Sequence, residues 1–333
     1  MKACFVKAPC SLESFQYIDL PDPTPASNQV LVRWHASSLN YHDYIVVSGI
    51  KPTKGEGIVP MSDGAGEVVA VGSNVKKWAV GDKVMSLFFP DWIDGAGTPE
   101  TIAKIPGDSC DGYGAELCAV DEHSLTLMPE GYSYTEAATL PCAALTAWRS
   151  LFADCDLQFG DKVLIEGSGG FSIFALQFAK AAGATVFATS SSNEKLERMK
   201  ALGADVLINY KETPEWGQKV YELSGGGVDH ALDVGGSTLN QSITACRIGG
   251  NVSSVGILEG FGAEVNLSLM IHRQIQIKTV MVGNRRMQED MVKAINASGI
   301  KPVIDSTYKL SELADAFRHQ IAGKHFGKIV VEY

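Results

Sequence analysis

The sequence predicts an α/β protein of two domains, a compact β-barrel domain and a doubly wound parallel sheet. With 333 residues, 45% of them hydrophobic, the chain is long enough for two cores. The part before residue 125 is rich in Gly and Pro and carries short β-branched runs at 29–34, 66–72 and 82–88, a pattern typical of small barrels. From Tyr134 onward, strand and helix patterns alternate, which indicates parallel strands joined by crossover helices.

The elements expected in the parallel sheet follow from this alternation. Its strands are predicted at 162–167, 185–190, 206–210, 230–234, 251–256 and 275–283. Helices are predicted near 171–182, 194–202, 215–223 and 237–246. Two further helical patterns and a closing strand at 327–333 are expected to return to the first domain. The predicted divisions are therefore 1–143, 144–283 and 284–333.

Composition narrows the class of partner. A net charge of -10 argues against nucleic acid and anionic membranes, because both attract a basic surface, and favours a small-molecule substrate. The N-terminus lacks the apolar run of a signal peptide and no stretch is long enough to span a membrane, so we expect a cytoplasmic protein. Seven scattered cysteines without a C-x-x-C pair argue against a disulfide framework and a four-cysteine zinc site.

A glycine-rich loop follows the first predicted parallel strand. Gly167, Gly169 and Gly170 lie between that strand and a helix, where bare backbone can approach a pyrophosphate. The third glycine of the G-x-G-x-x-G pattern is replaced by Ser172. The surrounding strand–helix units favour dinucleotide binding over a glycine turn without a ligand.

The end of the next strand indicates which dinucleotide is bound. Sites that prefer NAD usually carry an acid there for the ribose hydroxyls, whereas this chain has Ser190 and Ser191, followed by Lys195. Hydroxyls and an ammonium suit a 2′-phosphate, so we expect NADP(H). The alternative, compatible with the first, is that Ser191 and Glu194 form a helix capping box.

Several motifs in order resemble the medium-chain dehydrogenase/reductase superfamily, and within it the zinc-independent quinone oxidoreductase-like branch, close to zinc-free alcohol dehydrogenases. They include PMSDGAGEVVAVG, AATLPCAALTAW, the glycine loop, ALGADVLINYKE, VGNRR and FGKIVVEY. The resemblance implies a GroES-like catalytic domain built from both chain ends, a Rossmann domain between them, and an active site in the cleft. It also implies a homodimer joined through the 275–283 edge strand.

Cofactor contacts are implied by the same resemblance. They fall on Thr146, Gly167, Ser168, Gly169, Gly170, Phe171, Ser190, Ser191, Lys195, Tyr210, Val234, Val255, Ile257, Asn284 and Lys328. Asn284 and Lys328 would reach the nicotinamide side or the phosphates. Lys328 could instead be an exposed charge at a strand end.

The stretch SSLNYHDY matches the segment that carries a zinc ligand and a proton-relay hydroxyl in the superfamily's zinc alcohol dehydrogenases. Asn40 stands in place of the cysteine ligand, and His42 in place of the hydroxyl. Met61-Ser62-Asp63 replaces the G-H-E motif with its histidine ligand, so only Cys142 matches a catalytic ligand. Because a catalytic zinc needs about three protein ligands, and the structural-zinc cysteines are also missing, no metal is expected.

Without a metal, hydrogen-bond donors must stabilise the charge that develops on the substrate oxygen. Asn40, Tyr41 and His42 are the candidates, with His42 best suited to deliver a proton. Asp43 would orient its neighbours or hold a histidine tautomer. Alternatives stay open: a satisfied buried histidine, a capping role for Asp43, and packing of Tyr41 against the cofactor.

An aromatic group completes the expected site. Phe88, Phe89 and Trp92 would form an apolar substrate pocket, although they could equally be barrel core. The activity expected is NADPH-dependent, zinc-independent reduction of quinones or α,β-unsaturated carbonyls. A zinc-free alcohol dehydrogenase or carbonyl reductase, using NAD(P), is the alternative enzyme. A non-catalytic NADPH-binding protein is the alternative of another class.

Overall fold

The computed structural model describes residues 1–53, 55–258, 260 and 262–333. The chain forms two compact units. The first combines Met1–Leu145 with Val282–Tyr333, and the second is Thr146–Met281.

Strands of the described residues are numbered in chain order. They are β1 Lys2–Lys7, β2 Phe15–Asp19, β3 Gln29–Ser38, β4 Gly57–Ile58, β5 Ala65–Val71, β6 Lys83–Ser86, β7 Leu117–Asp121, β8 Leu125–Leu127, β9 Lys162–Glu166, β10 Thr185–Ser190, β11 Val206–Asn209, β12 Val228–Asp233, β13 Cys246–Ser254, β14 Gln276–Thr279, β15 Ile304–Lys309 and β16 Lys328–Glu332. The α-helices are α1 Tyr41–Val47, α2 Tyr134–Ala137, α3 Leu145–Trp148, α4 Gly170–Ala181, α5 Asn193–Ala201, α6 Trp216–Leu223, α7 Leu239–Ala245, α8 Leu267–Arg273, α9 Arg285–Ser298 and α10 Leu313–Ile321.

The first unit is built on a seven-stranded sheet. Its order is β15-β16-β3-β5-β6-β8, with β7 also paired to β3. Along β3, buried and less buried residues alternate until the strand's last three positions, which are all buried. The sheet tolerates no side chain at Gly66, where a Cβ would lie 2.1 Å from the Arg33 carbonyl oxygen. The C-terminal strand β16 pairs antiparallel with β3, with Val331 opposite Ser37, so the chain end returns beside the SSLNYHDY segment.

The second unit is a six-stranded sheet in the order β11-β10-β9-β12-β13-β14. Every neighbouring pair in it is parallel, as crossover helices require. The strand order reverses between β9 and β12, and ligands of such sheets bind at the carboxyl ends of strands beside that point. The predicted fold class, a barrel-like β domain with a doubly wound parallel sheet, is confirmed.

Some predicted boundaries were wrong. Strand β12 begins at Val228 and β13 at Cys246, both earlier than expected, and β14 is shorter than 275–283. The helical pattern after Tyr134 is interrupted by π-helical turns at Leu140–Ala144 and Arg149–Ala153. Pro141 is the second residue of the first of these turns, and proline cannot supply the backbone N–H that a regular helix needs. In the described part of the chain, no helix is long and apolar enough to cross a membrane.

Candidate active site and cofactor site

The glycine loop joins β9 to α4 at the carboxyl edge of the parallel sheet. Gly167 has φ +75°, a conformation that favours glycine, and its N–H donates to the Thr189 carbonyl at 2.9 Å. Gly169 is the N-cap of α4 and has no atom within 4 Å of where a Cβ would lie. The N-terminus of α4 is therefore bare backbone with open space in front of it, which suits a pyrophosphate.

Ser172 explains why the third glycine of the pattern is dispensable. Its side chain is buried, and its hydroxyl donates to the Glu166 carbonyl oxygen at 2.7 Å. The serine therefore ties the first turn of α4 to the end of β9. A small hydroxyl residue fills the position where most such loops need glycine for close helix–strand packing.

Two of the predicted 2′-phosphate residues, Ser190 and Ser191, lie at the end of β10, and the third, Lys195, lies in α5. Ser190 pairs with Asn209 in the sheet register, and the Tyr210 N–H donates to the Ser190 carbonyl at 3.2 Å. The capping box predicted at Ser191 is wrong. The N-cap of α5 is Ser192, whose hydroxyl accepts from the Lys195 N–H at 3.3 Å. Ser191 lies between this cap and the end of β10, so the helix begins one residue later than a cap at Ser191 would require.

The other residues of the second unit that are expected to contact the cofactor lie in several elements. A Cβ at Gly167 would lie 3.8 Å from Val234, and the Val255 N–H donates to the Asp233 carbonyl. Ile257 lies just beyond the end of β13, partly exposed, and Ser168 and Phe171 belong to the loop and α4. Thr146 is buried in α3, where its carbonyl accepts the Ser150 hydroxyl.

A buried acid beneath the loop was missed by the sequence reasoning. Glu166 accepts hydrogen bonds from Ser242 at 2.5 Å and from Thr238 at 3.3 Å, and Thr238 also lies 3.3 Å from Asp233. Burial, reinforced by the charge of Asp233, raises the pKa of Glu166 well above its usual range. An acid ending an apolar strand directly before the glycine loop is the signal that could have revealed it.

In the first unit, Asp43 joins the start of α1 to the 61–63 loop. Its carboxylate accepts the Asn40 N–H at 2.9 Å and the Ser62 N–H at 3.0 Å. Burial raises the pKa of Asp43, although the nearby His42 opposes the rise. Asp43 therefore has the capping role that the sequence analysis gave as an alternative. The expectation that Asp43 holds a histidine tautomer is wrong, because the partner of His42 is Asp108.

Lys328 lies at the centre of a buried group that we call the Lys328 cluster, formed by Ser38, Asn40, Ser62, Asp63 and Lys328. Its ammonium donates to Asn40 Oδ1 at 2.7 Å and to the Leu39 carbonyl at 2.6 Å, and lies 4.0 Å from Asp63 Oδ2. Lys328 is 4% exposed, so the alternative of an exposed strand-end charge is wrong.

The side-chain amide of Asn40 uses both its nitrogen and its oxygen in hydrogen bonds within the Lys328 cluster. Its nitrogen donates to Asp63 Oδ2 at 2.9 Å and to the Ser62 hydroxyl at 3.2 Å, while its oxygen accepts from Lys328. Because both functions of the amide are used and the residue is buried, the expectation that it donates directly to a substrate needs correction. Asn40 holds the ammonium in place.

Asn284 has a comparable structural role. Its side-chain oxygen caps α9 by accepting the Met287 N–H at 2.9 Å, and its nitrogen donates to the Gly95 carbonyl at 3.3 Å. Asn284 and Lys328 both belong to the first unit, whereas the glycine loop belongs to the second.

His42 and the aromatic residues form a second part of the first unit. Phe88 meets His42 edge-on at 5.2 Å, and Phe88 contacts Phe89 in turn. Phe88, Phe89 and Trp92 are all buried, so the geometry favours the barrel-core alternative over a preformed substrate pocket. Tyr41 is half-buried, with its ring 5.9 Å from that of Tyr44.

Comparison with known proteins agrees with this geometry. Residues 26–130 match the model of the alcohol dehydrogenase GroES-like domain, and residues 170–297 match the zinc-binding dehydrogenase model. A zinc-type alcohol dehydrogenase-like protein of Schizosaccharomyces pombe is 41% identical, covering 91% of this chain and 90% of its own. A chloroplast envelope quinone oxidoreductase homolog of Arabidopsis thaliana is 32% identical over 95% and 93%. The crystal structure of an NAD-dependent alcohol dehydrogenase superposes with a TM-score of 0.92 at 31% identity, over 100% of both chains.

These matches show that the chain belongs to the medium-chain dehydrogenase/reductase superfamily, and that it is an oxidoreductase. The predicted resemblance to this superfamily is confirmed.

The zinc ion that one family description implies does not fit the residues present. A catalytic zinc needs about three protein ligands. Here the Lys328 ammonium is bound to Asn40, at the position matching a ligand, and is the cation that faces Asp63. Burial raises the pKa of Asp63 to about 7 and that of the Cys142 thiol well above its usual range. A divalent ion would therefore face an ammonium and a protonated thiol.

Among the residues that the structure describes, one group of three potential metal ligands comes together elsewhere. Asp91, Asp121 and His123 place ligand atoms within 4.8 Å of one another. His123 is already paired with Asp91 at 3.2 Å, and Asp121 with Gln29 at 3.3 Å and Lys104 at 3.7 Å. The group is a partly exposed polar cluster whose charges are met by neighbouring side chains.

Proposed function

We propose that this protein is an NADPH-dependent, zinc-independent oxidoreductase that reduces quinones or α,β-unsaturated carbonyls. The observation that carries the proposal is the Lys328 ammonium, bound 2.7 Å from Asn40 at the position that matches a zinc ligand in related dehydrogenases. Without a Lewis acid, substrates that spread the incoming negative charge over a conjugated system are favoured, because they need less stabilisation at the carbonyl oxygen.

The second unit supports the choice of cofactor. NADPH would supply the hydride. The open N-terminus of α4 suits its pyrophosphate, and the hydroxyls of Ser190 and Ser191 with the ammonium of Lys195 suit a 2′-phosphate. No acid stands at positions 190–192, where a carboxylate would repel that phosphate.

The first unit supports the choice of proton donor. The His42 side chain keeps 19% of its surface exposed while one ring nitrogen is held by Asp108 at 3.0 Å. In our proposal, His42 protonates the reduced substrate. Asn40 and Asp43 fix the start of α1, on which His42 is carried, and are positioning residues.

Steady-state assays test the proposal directly. NADPH or NADH would be combined with quinones, enones and aldehydes, and NADP⁺ or NAD⁺ with alcohols. We expect turnover of conjugated carbonyls with NADPH. Turnover of simple alcohols or aldehydes with quinones and enones inert would instead establish a zinc-free alcohol dehydrogenase or carbonyl reductase, which a proton donor such as His42 also suits. Tight NADPH binding without turnover of any substrate would indicate a non-catalytic binding protein.

We also propose a cytoplasmic homodimer formed through the β14 edge of the parallel sheet. Unpaired strand edges readily accept another strand, and the apolar side chains of Leu267, Ile271 and Met281 are exposed on β14's neighbouring segments. Light scattering after size exclusion should give twice the chain mass. Replacement Ile271→Lys, at one of these exposed apolar positions, should give a monomer.

A further inference from the structure

His42, Asp108 and Lys51 form a hydrogen-bonded series that leads from a partly buried ring to the protein surface. His42 Nε2 lies 3.0 Å from Asp108 Oδ2, and Lys51 Nζ lies 2.5 Å from the same oxygen. The Asp108 side chain is 6% exposed, whereas that of Lys51 is 51% exposed. A carboxylate is therefore held between an imidazole on one side and a solvent-facing ammonium on the other.

The protonation state of Asp108 decides which nitrogen of His42 carries a proton. Burial alone would raise the pKa of Asp108, but the hydrogen bonds from His42 and Lys51 outweigh burial and hold the pKa below its usual value. An ionised carboxylate can only accept, so Nε2 must be the donor in both charge states of the ring. It follows that Nδ1 is the nitrogen that gains or loses a proton.

We propose that Asp108 and Lys51 are positioning residues that commit His42 to proton transfer through Nδ1. This inference rests on the proposed function. A bound NADPH would supply a hydride to the substrate carbon, and this transfer would give NADP⁺ and an enolate or hydroquinone anion. The N–H bond at Nδ1 then breaks and a new O–H or C–H bond forms on the substrate. His42 is then a neutral imidazole that keeps its Nε2–H, hydrogen-bonded to Asp108, and water returns a proton to Nδ1.

The charged groups around His42 determine how pH acts on this step. They are Asp108 and, through it, Lys51, together with Asp43 on the same helix, whose carboxyl is influenced by His42. Phe88, which packs against the ring, contributes no charge. Removing the Asp108 charge therefore disfavours the imidazolium. As the pH is raised, the rate of Asp108→Asn should begin to fall at a lower pH than the rate of the unmodified protein.

Kinetics of the full-length enzyme test the proposal, with whichever carbonyl substrate it reduces. For Asp108→Asn, we expect kcat to fall about 10–100-fold, with the pH at half-maximal kcat moved downward and the NADPH dissociation constant within about twofold. Lys51→Met should give a smaller loss in the same direction, and Asp108→Glu should recover part of the rate. The control Asp94→Asn, an exposed acid of the same unit, should match the unmodified enzyme.

A double-mutant cycle separates positioning from a general structural effect. If Asp108 acts through His42, the double variant His42→Gln/Asp108→Asn should be no slower than His42→Gln alone. Fully additive losses, or an unchanged pH profile in Asp108→Asn, would overturn the proposal. An NMR measurement does not depend on the substrate. Nitrogen-15 correlation spectra of the free protein should show the Nε2–H tautomer of His42, and a neutral ring protonated at Nδ1 would contradict the inference even if the proposed function holds.

If the enzyme oxidises only alcohols, the proposed function fails but the tautomer and the coupling can still be measured with that substrate. If conjugated carbonyls are reduced while the two losses add, only the role of Asp108 fails. The two failures are thus distinguishable.

Discussion

Lys328 Nζ and Asn40 Oδ1 lie 2.7 Å apart, although 288 positions separate them in the chain. The contact joins the last strand to the first helix and places a positive charge beside the buried Asp63. This side-chain hydrogen bond adds to the backbone pairing of β16 with β3, which joins the two chain ends that form the first unit.

Replacing Lys328 should destabilise the protein. Lys328→Met leaves Asp63 without its cation and Asn40 Oδ1 without a donor. Breaking a buried pair by removing one partner costs roughly 3–5 kcal/mol, and we expect about 3 kcal/mol because Asp63 can take up a proton instead. Urea denaturation monitored by tryptophan fluorescence would measure the change. The exposed Lys324→Met, from the same chain end, should change stability by less than about 0.5 kcal/mol. Equal stability of the two variants would contradict the role given to Lys328.

Metal analysis provides an independent check of the same cluster. The purified protein should hold far less than one zinc per chain, and a chelator should leave its activity unchanged. The reason is that the Lys328 ammonium is bound to Asn40, at the position that matches a zinc ligand. Elemental analysis with activity assays before and after chelation would measure both. Stoichiometric zinc that is lost together with activity would contradict the zinc-independent proposal.

The contrast between Lys328 and the glycine loop shows what a sequence can predict here. The loop, the strands around it and the parallel sheet depend on local periodicity and on glycine, which can be recognised within a short window. Burial of Lys328 depends on a partner at the far end of the chain, and Asp108 lies 66 positions from His42 in an irregular loop. Such partners are fixed only by tertiary packing. The Ser192 cap was missed for a smaller reason, a shift of one residue at a helix start.

Cofactor preference should respond to a charge at Ser191. Ser191→Asp places a carboxylate where a 2′-phosphate is proposed to bind, and should lower kcat/KM for NADPH about 30-fold while leaving NADH nearly unchanged. That factor corresponds to about 2 kcal/mol, between the values for a close charge pair in water and near a protein surface. Ser191→Ala, which removes the hydroxyl without adding charge, should cost only a few-fold. Equal losses for both cofactors in Ser191→Asp would mean that the residue does not distinguish them.

Removing the buried acid Glu166 should flatten the dependence of stability on pH. Burial and the nearby Asp233 raise the pKa of Glu166 above its ordinary value of 4.5, so the folded state binds this proton more tightly than the unfolded state. The resulting stabilisation is complete below that ordinary value and is lost as pH rises through the raised pKa. Glu166→Gln keeps a group of similar shape that cannot ionise. Its free energy of unfolding relative to the unmodified protein should therefore increase as pH rises above the ordinary pKa of 4.5.

Denaturation in urea at several pH values would measure this difference. The exposed Glu197→Gln, in the same unit, is the matched control and should run parallel to the unmodified protein. A relative stability of Glu166→Gln that stays constant, or that falls as pH rises, would mean that Glu166 is ionised in the folded protein. The acid beneath the glycine loop would then be a charge that bound phosphates must face, and lowering the pH should strengthen NADPH binding.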